Sequence, residues 1–327
     1  MPSFLITGIA GHIGYEVGRI LALADRNNKV YGVDNMASGA FWKIKEKEYP
    51  FDFVITSRLE FDFPCDYVIH CAAFPYEGLS PFLRAHVYKE NVLLTAKVVN
   101  YCIRHNVRRL VFLSSMAVYG DIKAPFDESD VPSPIDPYGI SKLCCELDIR
   151  SASITHGLDY CIIRPHNVYG PGQNIWSKYR NVIGRWVLQC LKGEKLTVYG
   201  DGLQKRAFSY IDDVAPCIVN ACFLPEASKE TINLGGKTPI TILEAAETVN
   251  RICNGVGVEF LQPRVEVKDA WCSYEKSERV LGYKEITSFD EGVYKTYQWA
   301  KSVYGKKVIY ENMPKLEIFN GLYDYWK

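Results

Sequence analysis

The sequence predicts an α/β protein built on a doubly wound parallel sheet, with a smaller C-terminal lobe. In the first half of the chain, short and continuously apolar runs alternate with longer helical patterns. Continuously apolar runs are typical of parallel strands, because helices cover both faces of such a sheet. After Arg164 the elements become shorter and clusters of Pro and Gly appear. This change predicts a second lobe over the carboxyl edge of the sheet, where folds of this class bind ligands.

The individual elements follow from the spacing of the apolar residues. The predicted strands cover residues 4–7, 30–33, 67–72, 110–114 and 160–164, and the predicted helices cover residues 13–24, 84–105 and 139–156. We expect a first domain over residues 1–165 and a lobe over residues 166–327. Residues 207–240 are expected to return to the first domain.

Composition excludes several classes of function. The 327 residues contain 38 basic and 38 acidic side chains, so no net positive field would attract nucleic acid or an anionic membrane. The N-terminal apolar run breaks at Gly8, and no apolar segment approaches the ~20 residues of a membrane helix. The 11 cysteines form no Cys-x-x-Cys pair, which indicates reduced thiols in the cytoplasm. The six histidines lack ligand spacing, so we predict no metal.

A glycine-rich turn connects the first strand to the first helix. Gly8, Gly11 and Gly14 allow the backbone to approach a pyrophosphate closely, and the helix that follows directs its N–H groups at the phosphates. Asp34 ends the second strand, 20 residues beyond Gly14. An acidic residue there binds ribose hydroxyls and repels a 2′-phosphate, which favours NAD over NADP. The alternative is a glycine-rich turn that binds no ligand.

The spacing Gly-x-x-Gly-x-x-Gly resembles the extended short-chain dehydrogenase/reductase superfamily. Residues 34–39 are similar to its ribose-binding turn, residues 70–73 to the segment beneath the nicotinamide ribose, and Asn91, in a helix beginning at Glu90, to its helix asparagine. The resemblance implies NAD contacts from Gly8, Gly11, His12, Ile13, Gly14, Asp34, Asn35, Ser38, Ala72, Ala73, Asn91, Ser114, Tyr138, Lys142 and Pro165. The adenine contact stays open, because residues 54–58 end in Ser57-Arg58 where the family often has an acidic residue.

A tyrosine and a lysine form a candidate proton-transfer site. Tyr138 and Lys142 stand four residues apart on a predicted helix and therefore share one face. A nearby ammonium favours the phenolate, so we expect a lowered pKa for Tyr138. Tyr-x-x-x-Lys occurs four times in the chain, but only Tyr138 follows Asp136-Pro137 and a Ser-Ser pair at a strand end. The segments around Ser115, Tyr138 and Lys142 resemble the catalytic residues of the superfamily. The alternative is a helix tyrosine that merely packs beside a lysine.

Two segments of the second lobe resemble nucleotide-sugar epimerases and dehydratases. Residues 164–173 are similar to their hinge motif, and residues 196–206 to a hairpin that clamps the nucleotide. The resemblance implies substrate contacts from Ser115, Tyr138, Asn167, Asn181, Val182, Val198, Tyr199, Arg206, Arg264 and Ala270. The two arginines would bind the diphosphate, and Val198 and Tyr199 would border the base. For either arginine, the alternative is a solvated surface charge.

The residues after Ser115 favour one reaction within this group. Dehydratases and decarboxylases of the family place acidic residues there, whereas this chain has Met116 and Ala117, which cannot transfer a proton. We therefore expect an NAD-dependent 4-epimerase acting on a UDP-hexose or UDP-N-acetylhexosamine through a transient 4-keto sugar. Ala270 would leave room for an N-acetyl group. The alternatives are a 4,6-dehydratase or reductase of the same fold, and a non-catalytic NAD(H)-sensing protein. The resemblance also implies a homodimer, formed through helices 84–105 and 139–156.

Overall fold

The central element of the protein is a seven-stranded sheet. The computed structural model describes residues 1–37, 52–55, 63–177, 179–305 and 313–326. Within these ranges the strands β1 to β14 are Ser3–Thr7, Lys29–Asp34, Asp52–Ile55, Tyr67–His70, Arg109–Leu113, Tyr160–Pro165, Val168–Tyr169, Leu196–Tyr199, Lys205–Arg206, Ser209–Tyr210, Glu230–Leu234, Ile240–Thr241, Val258–Leu261 and Asp269–Ala270. The central sheet has the order β11-β6-β5-β4-β1-β2-β3, and all its strands are parallel.

Helices cover both faces of this sheet. The helices α1 to α9 of the described residues are His12–Ala24, Arg84–Tyr88, Leu94–Arg104, Pro137–His156, Val182–Lys192, Ile211–Phe223, Ile242–Ile252, Glu275–Leu281 and Phe289–Val303. Alternate side chains of β1 point to opposite faces of the sheet, as expected of a strand. Phe4 and Ile6 pack in one hydrophobic cluster with Val17 of α1, whereas Leu5 packs in a second cluster with Val98 of α3. The predicted doubly wound α/β fold is confirmed.

The order of the central sheet fixes the location of its ligand-binding crevice. Strand β1 lies between β2 and β4, so the chain turns in opposite directions on either side of β1. Such a switch point opens a crevice at the carboxyl ends of the strands. Within the described residues, three smaller sheets form outside the central one, with the strand orders β10-β7, β12-β9-β14 and β13-β8. All their strands come from the second half of the chain. Later in the chain, α6 packs against α1 and β11 pairs with β6.

The boundaries of several elements differ from the predicted ones. The predicted strand 67–72 ends at His70, and the predicted helix 139–156 begins at Pro137 because Asp136 caps it, accepting the Gly139 N–H at 2.9 Å. The predicted helix 84–105 contains a π-helical turn at Lys89–Leu93. The helix that carries Asn91 therefore begins at Arg84, well before Glu90. No helix in the described ranges is long and apolar enough to cross a bilayer.

Candidate active site

A cavity of about 590 Å³ opens at the carboxyl ends of the central strands. It brings together residues that are far apart in the sequence. Of the predicted site residues, those that line it are Gly8, Gly11, His12, Ile13, Gly14, Asp34, Asn35, Ala72, Ala73, Ser114, Ser115, Tyr138, Lys142, Pro165, Asn167 and Asn181. The glycine-rich turn and the tyrosine–lysine pair therefore share one cavity. Ser38 and the segment Ser57-Arg58 lie outside the described residues.

The glycine turn forms a tight cradle with no room for side chains. Gly8 has a φ of +74°, and a Cβ atom on it would stand 2.7 Å from the Ala72 nitrogen. A Cβ atom on Gly14 would stand 2.2 Å from the Gly8 oxygen. Helix α1 starts directly after this turn, and its N-cap Gly11 has no side chain between the helix and the cavity. A backbone cradle at a helix N-terminus fits the pyrophosphate of a dinucleotide.

Asp34 ties the end of β2 to this cradle. One carboxylate oxygen accepts the Ala10 N–H at 3.0 Å, and the other accepts the Met36 N–H at 2.8 Å. The side chain is held at the rim of the cavity, 24 residues along the chain from Ala10. A carboxylate fixed in this place fits ribose hydroxyls and disfavours a 2′-phosphate. The residues present therefore fit NAD.

A buried hydrogen-bond chain supports the cavity wall after β4. The Thr95 hydroxyl donates a hydrogen bond to the Asn91 carbonyl at 2.7 Å, so it accepts a hydrogen bond from the His70 Nε2–H group at 3.0 Å. His70 Nδ1 then accepts from the Thr7 hydroxyl at 2.6 Å, and Thr7 Oγ1 accepts the Ala72 N–H at 3.2 Å. Burial, with a smaller contribution from Lys142, lowers the pKa of His70 to about 3. His70 is therefore neutral and fixes the position of Ala72.

Asn91 supports the wall of the cavity from its buried side. It is 2% exposed and is not among the residues that line the cavity. Its side-chain oxygen accepts the Phe74 N–H at 2.7 Å, and its side-chain nitrogen donates to Ser141 at 2.9 Å. Asn91 thus holds the loop after β4 against helix α4. A direct contact between Asn91 and NAD stays a prediction.

Tyr138 and Lys142 occupy the first two turns of α4 and face the cavity together with Ser115. The Ser115 hydroxyl lies near the Tyr138 hydroxyl and favours its ionised form. Lys142 is 3% exposed, and its ammonium donates to the Leu113 carbonyl at 2.6 Å. Burial lowers the pKa of Lys142 to about 8. A hydroxyl pair and a buried cation at the base of one cavity can exchange a proton with a bound alcohol.

The electrostatics of Tyr138 differ from the expectation. Burial raises the pKa of Tyr138 above its usual value, and the carboxylates of Glu77 and Asp136 raise it further. The nearby Ser115 hydroxyl and the charge of Arg180 lower the pKa of Tyr138, but their effect is weaker than that of burial. The predicted lowering is wrong for the protein alone, because burial outweighs the groups that favour the phenolate.

The other Tyr-x-x-x-Lys matches are structural. Tyr119 is fully buried, and its hydroxyl donates to Asn233 at 2.7 Å. Tyr297 lies on α9 with the Lys301 ammonium 5.4 Å from its ring centre. Neither tyrosine lines the cavity, and Lys327 of the fourth match lies outside the described residues. Within the described ranges, Tyr138 is the tyrosine of this motif that faces the cavity.

Ser114 belongs to a buried ionic cluster as well as to the cavity. Its hydroxyl donates to Glu146 at 2.5 Å, and Glu146 forms an ion pair with Arg164 at 2.6 Å. All three residues are almost completely buried. The Ser114 hydroxyl is thus directed into this cluster. Glu146 was not found from the sequence, because a single glutamate on a helix carries no signal of its partner.

Two asparagines of the second lobe face the cavity. Asn167 has a φ of +45°, and its side-chain nitrogen donates to the Ala207 carbonyl at 2.8 Å. Asn181 caps helix α5 by accepting the Ile183 N–H at 3.0 Å. Val182, the first residue of α5, is partly buried against the hydrophobic core and does not line the cavity. A substrate contact from Val182 stays a prediction.

Arg206 and Arg264 lie side by side beyond the cavity. Their Nη2 atoms stand 3.7 Å and 3.0 Å from the same Glu266 carboxylate oxygen. Arg206 also donates to the Lys268 carbonyl at 2.9 Å. The two side chains are only 12% and 21% exposed, so neither is a solvated surface charge. Such a pair of partly buried guanidinium groups suits a diphosphate.

Three further residues with predicted substrate contacts are buried. Val198 is fully buried in the main hydrophobic cluster, and Ala270 is buried against Tyr119 and other apolar residues beside the strand that carries Arg206. Tyr199 is 5% exposed, with its ring between Arg185 and Arg264 at 5.3 Å and 4.7 Å. None of the three lines the cavity. The contacts predicted for these three residues, including room for an N-acetyl group beside Ala270, stay predictions.

Several lining residues were not found from the sequence. Arg180 lies over the Tyr76 ring at 4.5 Å, and both line the cavity. Met313 and Pro314 reach the cavity from the C-terminal segment. These contacts depend on tertiary packing and leave no local pattern. Among the described residues, no group of three or more His, Cys, Asp or Glu side chains is arranged to hold a metal ion.

The comparisons with known proteins agree with this geometry. The model of the NAD dependent epimerase/dehydratase family matches residues 4–235. A UDP-glucuronate 4-epimerase of Thermodesulfobacterium geofontis is 30% identical over 92% of this chain and 97% of its own. The structure of an epimerase from Methanothermobacter thermautotrophicus has a TM-score of 0.88 at 30% identity, covering 93% of each chain. A UDP-glucuronic acid 4-epimerase of Bacillus cereus, solved with a fluorinated substrate analogue and NAD, has a TM-score of 0.85 at 27% identity, covering 92% of this chain and 100% of its own.

Proposed function

Because the chain belongs to the NAD-dependent epimerase/dehydratase family, we propose that it is a UDP-sugar 4-epimerase. One observation carries this proposal. The Ser115–Tyr138 hydroxyl pair and the Lys142 ammonium face the same cavity as the glycine cradle and Asp34. A sugar held at Tyr138 would therefore lie against a dinucleotide held at the cradle. The substrate class is UDP-hexoses, and the 4-carbon is the centre that inverts.

Each side chain has a defined task in this reaction. The chemistry that NAD supplies when bound is reversible hydride transfer at C4. Tyr138 accepts the proton of the sugar 4-hydroxyl, and Ser115 hydrogen-bonds the same oxygen. Lys142 supplies a fixed positive charge at the base of the cavity. Burial opposes formation of the phenolate, so cations beside Tyr138 are required to bring it into the working range.

The environment of Ser115 favours epimerisation over elimination of water. Ser115 caps a short turn at Met116–Val118, accepting the Ala117 N–H at 3.1 Å. Neither Met116 nor Ala117 can donate a proton to a leaving hydroxyl. The 4-keto sugar is thus expected to turn within the cavity and to be reduced on its other face. Enclosure supports this step, because a released keto sugar would leave the cofactor reduced.

Product analysis tests the proposal. The purified protein is incubated with UDP-glucose, UDP-N-acetylglucosamine or UDP-glucuronate, without added cofactor, and the nucleotide sugars are separated. We expect conversion of at least one of them into its 4-epimer. Tyr138→Phe should lower kcat by at least about 10²-fold while NAD stays bound. Tyr297→Phe is the matched control, because Tyr297 has the same Tyr-x-x-x-Lys spacing outside the cavity. A 4-keto-6-deoxy product, or full activity of Tyr138→Phe, would contradict the proposal.

A further inference from the structure

A short 3₁₀ turn, Glu77–Phe82, connects the two halves of the site. Tyr76, the residue before it, lines the cavity. At Gly78 the turn borders the arginine pair, since a Cβ atom there would stand 3.6 Å from Arg264 Nη1. At Ser80 it borders the catalytic helix, because the Ser80 hydroxyl accepts the Tyr138 N–H at 3.2 Å. The turn therefore spans the distance between the proposed diphosphate site and the catalytic tyrosine.

Glu77 is the first residue of this turn, and its carboxylate has an unusual environment. Glu77 is exposed to solvent, although the protein atoms around it still desolvate the carboxylate. Among the residues that the structure describes, no hydrogen bond or ion pair to this carboxylate is formed. Its charge nevertheless acts on Tyr138 at one end of the site and on Arg206 and Arg264 at the other. Glu77 is not among the residues that line the cavity, but its neighbour Tyr76 is. A sugar that extends from Tyr138 towards the arginine pair would pass beside this carboxylate.

We propose that Glu77 is a specificity-determining residue, which contacts the hexose ring and selects sugars without a negative charge. This inference rests on the proposed function and deepens it. The carboxylate accepts hydrogen bonds from neutral sugar hydroxyls and repels the C6 carboxylate of a uronic acid. Like charges brought together in a desolvated site discriminate strongly between ligands. Charge at C6 is thus the property that separates accepted from rejected substrates.

The titration of Glu77 adds a dependence on pH. Burial and the neighbouring Asp136 raise the pKa of Glu77 to about 7, against the opposing charges of Arg206 and Arg264. Glu266, the remaining carboxylate near Glu77, also raises it. Glu77 is therefore increasingly ionised as the pH rises through 7. Discrimination against uronic acids should be larger at pH 8 than at pH 6.

Binding measurements test this inference separately from catalysis. The probes are UDP-glucose and UDP-glucuronate, titrated calorimetrically into the NAD-loaded Tyr138→Phe protein at pH 8. We expect the affinity for UDP-glucose to exceed that for UDP-glucuronate by a ratio of at least about ten. Adding Glu77→Gln should reduce this ratio at least about threefold, chiefly by improving the affinity for UDP-glucuronate. Glu247→Gln on helix α7 is the control, because it removes one exposed carboxylate outside the site.

The outcomes separate the two proposals. Equal affinity for the two sugars, a ratio unchanged by Glu77→Gln, or no binding of either sugar would overturn the role of Glu77. Selective binding of UDP-glucose without any epimerisation by the unsubstituted enzyme would instead overturn the proposed function and leave the role of Glu77 intact. A 4-keto-6-deoxy product that disappears in Glu77→Gln would make Glu77 a general acid and would contradict both. A thermal unfolding curve of Glu77→Gln confirms that the variant is folded.

Discussion

Lys142 shows how a single residue couples catalysis to stability. Its ammonium is 3% exposed, makes one short hydrogen bond to the Leu113 carbonyl, and has its pKa lowered from 10.5 to about 8 by burial. A lowered lysine pKa means that folding disfavours the charged form. The same desolvated cation serves the proposed reaction at Tyr138. The residue is therefore expected to reduce the stability of the ligand-free protein at neutral pH.

Lys142→Met should abolish turnover and raise the melting temperature of the ligand-free protein at pH 7. Between pH 8 and 10.5 the unfolded chain binds a proton at Lys142 that the folded protein does not bind. The stability of the unsubstituted protein therefore rises with pH in this window, relative to Lys142→Met. Thermal unfolding at pH 7 and pH 10 measures the difference, which should shrink at pH 10. A difference that is the same at both pH values would contradict the burial of a charged Lys142.

Glu146 and Arg164 form a buried ion pair that contributes to the stability of the fold. Both side chains are at most 2% exposed, and the Ser114 hydroxyl also donates to Glu146. Glu146→Ala leaves an unpaired buried guanidinium and should lower the free energy of unfolding by about 3–5 kcal/mol. Urea denaturation measures this change in the free energy of unfolding. Glu291→Ala is the control, because its pair with Lys295 is about half exposed and should contribute less than about 1 kcal/mol. Equal effects of the two substitutions would show that Glu146 is not buried in a pair.

Single residues also mark the limit of prediction from sequence. The glycines, Asp34, Ser115, Tyr138 and Lys142 could be placed because each occupies a fixed position relative to a strand end or a helix start. The burial of Val198 and Ala270 could not be predicted in this way, because strand residues point alternately to the core and away from it. Glu77 gave no signal, since its importance comes from neighbours that lie 59 to 189 positions away along the chain.

The C-terminal segment 313–326 is the element that the sequence could not assign. Met313 and Pro314 line the cavity, and Leu322 and Trp326 pack in a hydrophobic cluster with Phe82. This docking joins the segment to the turn Glu77–Phe82 and to helix α2. Strands and helices were predictable because their apolar periodicity is local, whereas the docking of an irregular segment depends on contacts distant in the sequence.

Glu317 caps helix α2 from this segment. Its two carboxylate oxygens accept the Ala85 and His86 N–H groups, each at 2.9 Å. Glu317→Ala should weaken the docking of residues 313–326 by about 1 kcal/mol, because the first helical N–H groups lose their acceptors. Hydrogen exchange should then be faster in this segment and at His86. Glu317→Gln keeps one acceptor oxygen and should show a smaller effect. Unchanged exchange in Glu317→Ala would contradict the capping role.

At the scale of the whole molecule, helix α4 carries an exposed apolar stripe. Ile140, Leu147 and Ile154 recur every seven residues and are 41%, 56% and 88% exposed. A seven-residue repeat keeps apolar side chains on one face of a helix, as in helices that pack against a partner helix. This pattern supports the expectation of a homodimer formed through α4. The fold itself was predictable from sequence at this scale, but the assembly rests on surface residues that periodicity leaves ambiguous.

Leu147→Arg should therefore convert a dimer into a monomer, because it places a charge in the centre of the stripe. Light scattering after size exclusion measures the mass, which should be twice the 37.2 kDa of one chain before the substitution and equal to it afterwards. Asp148→Arg, one position along the same helix, is the control for added charge. A monomeric unsubstituted protein at micromolar concentration would contradict this interface.

The fate of the hydrogen at C4 tests the central claim most directly. UDP-glucose carrying deuterium at C4 is incubated with the purified protein without added cofactor, and the products are followed by NMR. If the hydride that leaves C4 returns to the same sugar within the cavity, the deuterium is retained at C4 of UDP-galactose. No solvent hydrogen then enters C4 or C5. Loss of the label to solvent, exchange at C5, or product formation only with added NADH would contradict a 4-epimerase with a resident cofactor.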